Sequence, residues 1–218
     1  MATSSDIEQG ARDAQSAASA PSTLLVALGA PRKVLFLRDF CTRPQGSSCM
    51  KCIEACPKGA IAIANASAAI DAHACTKCGI CVGVCDGFAI PGASVEAVFS
   101  QMRKIALTGE KVILTCSYLL PSNFTPADNV IVLPCLAMLP PELWTCVLAL
   151  GIDLAVAVIF EECEACKRTK SQGLERFSLA IEQAEDASER TVAITDDVPE
   201  AQAAPTLMQT LGDASGKD

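Results

Sequence analysis

The feature that most constrains this chain is a doubled cysteine run. Shifted by 29 residues, "KCIEACPKGAI" (51–61) falls on "ICVGVCDGFAI" (80–90), matching Cys52 with Cys81, Cys56 with Cys85, Ala60 with Ala89 and Ile61 with Ile90, while Cys49 falls on Cys78. The second copy is complete, with Cys75, Cys78, Cys81 and Cys85 at spacings x2, x2 and x3. In the first copy, Gly46 stands where the counterpart of Cys75 belongs, and glycine has no ligand atom. Cys41, five residues earlier, is the nearest candidate, which makes "CTRPQGSSC" the same loop with five added residues. Its Pro, Gly and Ser content allows such a detour. Residues 33–93 are dense in cysteine and glycine with only short apolar stretches, "VLFL", "AIAI" and "FAI", so this segment is expected to be a small fold held by its metal.

The chain has 218 residues, half of them apolar, and 13 cysteines, an odd number that disulfide pairing cannot exhaust. The first twenty residues carry Asp6, Glu8 and Asp13 and no basic stretch ahead of an apolar one, so no export signal is read there. "LLVALGA" (24–30) is too short to span a membrane. The expected setting is a reducing cytoplasm, where closely spaced cysteines serve as metal ligands. The net charge is −8 and most of the acidity falls after residue 170. No basic stripe with interleaved aromatics is present, which argues against nucleic-acid binding. Lys167, Arg168 and Lys170 beside Glu161, Glu162 and Glu164 read as a solvated face that neutralises itself. Residues 1–32 and 198–218 lack apolar periodicity and are expected to be flexible tails.

Soft thiolate ligands suit iron–sulfur clusters or zinc. Two zinc sites would each want paired C-x2-C knuckles well separated in sequence, whereas each run here crowds its thiolates together, which favours iron–sulfur. With eight cysteines in a doubled pattern over roughly 33–93, the segment resembles the two-cluster bacterial ferredoxins. The resemblance implies an α+β ferredoxin-like domain holding two [4Fe-4S] clusters, the fourth cysteine of each run serving the other cluster. Carried over, one cluster takes Cys41, Cys49, Cys52 and Cys85, and the other takes Cys75, Cys78, Cys81 and Cys56. Asp86 stands where the family has a second proline.

From 94 to 197 the texture changes to longer helical and strand patterns. Ser94 followed by Val95, Val98, Phe99, Met102 and Ile105 predicts a capped amphipathic helix. "KVILTC" (111–116), "NVIVLPC" (129–135) and "LAVAVIF" (154–160) predict strands covered on both faces. Pro141 and Gly151 bound a crossover helix between the last two. A helix around 171–188 and a short strand in 190–195 complete a small α/β domain with a mainly parallel sheet. Cys116 and Cys135 end two predicted strands and Cys163 and Cys166 follow a third, so four thiols should gather at the carboxyl edge as a redox or metal site. The 111–170 stretch resembles the small iron–sulfur (delta) subunit that links methyl-viologen-reducing hydrogenase to heterodisulfide reductase, which implies a [2Fe-2S] cluster. Where that family has an earlier cysteine, this chain has Ile113. Cys146, mid-helix, reads as a buried small apolar residue and His73 as a loop residue.

No acid, base and nucleophile constellation stands out, and no phosphate-binding glycine loop. The expected function is electron transfer to or from a larger oxidoreductase, such as a formate dehydrogenase, hydrogenase or heterodisulfide-reductase-like complex. Two alternatives remain open: a thiol or disulfide reductase using the C-terminal cysteines, and a metal-stabilised adaptor that carries no electrons.

Overall fold

The computed structural model describes residues 33–201. The expected N-terminal tail, 1–32, lies outside the described residues, as does the chain beyond 201.

The repeat in the sequence is a repeat in space. Strand β1 (Leu35–Phe36), helix α1 (Lys51–Glu54) and strand β2 (Ile61–Ala64) form the first copy; β3 (Ser67–Ile70), α2 (Ile80–Val84) and β4 (Phe88–Ala89) form the second. The copies embrace each other in antiparallel pairs, β1 with β4 and β2 with β3. The β2–β3 hairpin turns on Asn65 and Ala66, both at positive φ (51° and 56°), the conformation a two-residue hairpin demands. Both cysteine-bearing helices are about one turn long, too short to stand without tertiary support.

Helix α3 (Val95–Leu107) opens the second region. The Ser94 hydroxyl accepts from the Ala97 N–H at 3.1 Å, the expected cap, and Val98, Met102 and Ile105 form its buried stripe. Four parallel strands follow, β5 (Val112–Cys116), β6 (Val130–Leu133), β7 (Leu154–Ala157) and β8 (Ala193–Thr195), in the order β6-β5-β7-β8. Pro141 starts the crossover helix α4 (Pro141–Ala149), and Gly151 ends the turn after it at φ 68°. The predicted third strand stops early: β7 ends at Ala157 and the chain coils into α5 (Phe160–Glu164) ahead of the long helix α6 (Ser171–Ser188).

Strand alternation divides the sheet between two cores. Leu114, Ile131, Leu133, Leu154 and Val156 face the helices, where Trp144 of α4 meets Phe177 of α6 edge-on at 6.0 Å. Ile113, Val130, Val132 and Ala157 face the opposite side, under Leu120, Ala127 and Val198. Val198 corrects the expected tail. Residues 198–201 run along 125–127, with Ala127 N–H donating to Pro199 and Ala201 N–H to Thr125, because Val198 has an apolar face to cover.

The cysteine-run segment does not stand apart. Cys52, Ile61, Cys81, Val82, Phe88 and Ile90 belong to the same buried cluster as Leu133, Trp144 and Val156. The join is tightest where α2 lies on the 3-10 turn Leu136–Met138: a Cβ at Gly83 would land inside contact distance of the Met138 carbonyl oxygen. Among the described residues no helix is long and apolar enough to cross a membrane.

Candidate metal centre

Twelve of the thirteen cysteines fall into three groups of four. In the first, burial pushes the Cys52 thiol up, and the charges that add to this are those of Cys85, Cys49 and Cys41. The five added residues are therefore a loop that returns Cys41 to its partners. Arg43 organises that return. Its guanidinium donates to the Cys49 carbonyl at 2.6 Å, the Ser47 N–H donates to the Thr42 carbonyl, and Gly46 takes φ 93°, where a side chain would be strained. Burial pushes Cys41 up, but N–H groups of Arg43 and Ala68, the Ser67 hydroxyl and the Arg43 charge outweigh it and hold the thiol below its ordinary value. Ser67 is 3% exposed and its hydroxyl has no partner other than the Cys41 sulfur it faces, so a thiolate there would satisfy it.

The second group is Cys56, Cys75, Cys78 and Cys81, which line one cavity with Val34, Pro57 and Ile70. Burial, then the charges of Cys78, Cys75 and Cys56, push Cys81 up to about 12. Burial also raises Cys78, opposed by the Ile80 N–H. Backbone donors reach sulfur in both groups: Ala60 N–H to Cys56 Sγ at 3.3 Å and Gly87 N–H to Cys85 Sγ at 3.4 Å. Such bonds favour the thiolate, the form a metal would need.

The third group lies at the carboxyl edge of the parallel sheet. Cys116, Cys135, Cys163 and Cys166 line a second apolar cavity with Tyr118, Arg168 and Phe177. Burial raises Cys116 and drives Cys135 and Cys163 up to about 12. The added charges come from Cys116 and Cys166 on both, from Cys78 on Cys135 and from Glu162 on Cys163. Ile113 points to the opposite core and takes no part.

Among the described residues no three His, Cys, Asp or Glu side chains close around the position of a single ion.

Two readings of the sequence are corrected. Cys146 is exposed on the outer side of α4, not buried; the apolar neighbours that suggested a core position, Val147 and Leu148, face inward. Arg168 does not belong to a solvated charge face. Its Nη1 donates to Ser117 Oγ at 3.1 Å and to the Pro134 carbonyl at 3.2 Å, and the guanidinium lies 5.7 Å from the centre of the Tyr118 ring. Sequence spacing carried no sign of this, because Ser117 and Pro134 lie 51 and 34 residues away. His73 is an exposed loop residue whose N–H donates to Asp71, and it stands in none of the three groups. Against known proteins, the chain matches no family model, no curated protein and no solved structure.

Proposed function

We propose that this protein is an iron–sulfur electron carrier or electron-transfer subunit, which passes single electrons to or from a larger oxidoreductase. The observation that carries the reading is the sorting of twelve cysteines into three groups of four, two of them lining separate cavities. Cys41, Cys49, Cys52 and Cys85 would hold one [4Fe-4S] cluster and Cys56, Cys75, Cys78 and Cys81 the other. Cys116, Cys135, Cys163 and Cys166 would hold a third centre, of the two-iron type. Such clusters supply reversible one-electron chemistry at potentials set by burial and by N–H donors to sulfur. The chain's own part is to exclude water, fix the sulfurs and present the donors from Ala60 and Gly87. A cluster held by four thiolates leaves no position for a substrate, so substrate chemistry belongs to the partner. In the first two groups the thiolates come from short crowded runs and not from paired C-x2-C knuckles well apart in sequence, which favours clusters over single zinc ions.

The thiol-reductase alternative needs a nucleophile with a lowered pKa. Burial instead pushes Cys116, Cys135 and Cys163 up, which counts against each of those three as the nucleophile.

The test is iron and acid-labile sulfide per chain on anaerobically purified protein, with EPR of the reduced sample. About 10 irons with two four-iron signals and one two-iron signal are expected. About 8 would leave the two four-iron clusters and remove the third centre. Stoichiometric zinc without sulfide would sink the proposal.

A further inference from the structure

The second and third cysteine groups are neighbours. Cys78 is among the thiols whose charge acts on Cys135, and Cys135 packs with Ala137 against the small buried cluster of Ala55, Cys78 and Ile80. The first group reaches the second along the chain itself: Cys52 precedes Cys56, and Cys81 precedes Cys85, by four residues, one helical turn. The second group therefore adjoins both of the others.

Arg168 fastens the junction between the last two. Through Nη1 it holds Ser117, the residue after Cys116, and the carbonyl of Pro134, the residue before Cys135. It lies two residues past Cys166, and its face covers Tyr118. Its own carbonyl accepts from Thr76 Oγ1 at 3.1 Å, and Thr76 sits between Cys75 and Cys78. One residue thus ties three loops of the third group to the loop of the second.

We propose that electrons enter the third group from the second, across the Cys78–Cys135 junction, and that Arg168 is the positioning residue that keeps this junction closed. The step moves one electron from a reduced centre at the second group to an oxidised centre at the third. No bond forms or breaks and no proton moves, and the electron comes from a one-electron donor protein at the first group. The inference rests on the proposed function above. An arginine is required because a lysine at 168 would keep the charge but could not hold two loops and an aromatic face together.

The experiment compares full-length wild type with Arg168→Gln and Arg168→Lys, each loaded anaerobically and photoreduced. Iron content, spin–spin splitting in the EPR spectrum and amide exchange over residues 75–80 are read together. Wild type should show splitting between a four-iron centre and the third centre. Arg168→Gln should keep both four-iron signals, lose the splitting and exchange severalfold faster over 75–80, with Arg168→Lys in between. Splitting and exchange unchanged in Arg168→Gln would overturn the proposal. If that variant also sheds its third centre, exchange over 75–80 decides alone. Wild type with about 8 irons and no third signal overturns this inference and leaves the two-cluster reading standing, whereas iron near zero overturns both.

Discussion

Replacing Gly83 with alanine measures whether the two halves of the chain meet as described. Position 83 lies in α2, where alanine is favoured over glycine by roughly 1 kcal/mol, so an open site would gain stability. Here the new Cβ lands on the Met138 carbonyl oxygen. That oxygen cannot swing aside as a side chain would. Met138 is fully buried and its turn is pinned by Met138 N–H to the Cys135 carbonyl and Leu139 N–H to the Leu136 carbonyl, each at 3.2 Å. Overpacking against backbone belongs at the upper end of its usual range, about 3 kcal/mol. The balance is a net loss of about 2 kcal/mol, the steric cost outweighing the helix gain. With a urea slope of about 2 kcal/mol/M, the midpoint should fall by about 1 M. The chain's one tryptophan, Trp144, is fully buried in the shared core and reports the transition by fluorescence. Gly59→Ala is the control: its Cβ meets nothing, so only the left-handed backbone (φ 60°) is strained, about 1 kcal/mol. A Gly83→Ala protein as stable as wild type, or more so, would refute the close approach of α2 to Met138 and with it the docking of the cysteine runs on the sheet.

Cys41→Ala should lower iron by about one per chain and convert a four-iron signal to a three-iron one, leaving the second group unchanged; unaltered iron would show that Cys41 is not a ligand. In the metal-free chain Cys81, Cys135 and Cys163 stay protonated up to about 12, against a thiol's ordinary 9.0. The unfolded chain gives up those protons first, so stability should be full below about pH 9 and fall as pH rises toward 12; urea midpoints flat across that window would contradict the burial of these thiols. Cys146, exposed on α4, should be the cysteine alkylated fastest in the metal-loaded protein, and Cys146→Ser should leave iron unchanged. Loss of iron in that variant would place Cys146 in a site after all.

Much was legible from the sequence because it depends on neighbours along the chain. The repeat of 29 residues foretold two superposable copies, since ligand spacing and a one-turn helix are local matters. The Ser94 cap, the Pro141 start and the β-branched strands were equally local. Even the gathering of Cys116, Cys135, Cys163 and Cys166 followed from strand order, because parallel strands bring their carboxyl ends to one edge. What only the tertiary structure decided concerns groups far apart in sequence. Arg168 stands in a run of mixed charge that reads as solvated, yet Ser117, Pro134 and Tyr118 draw it inward. Val198 lies in a stretch with no apolar periodicity, yet the back of the sheet presents Ile113 and Val132 for it to cover. The sharing of one core by the cysteine runs and the sheet turns on Gly83 meeting Met138, 55 residues on. Local patterning sets which elements form and where the thiols sit within them. Which elements touch is settled by shape and burial across the whole chain, and no window of sequence contains both sides of such a contact.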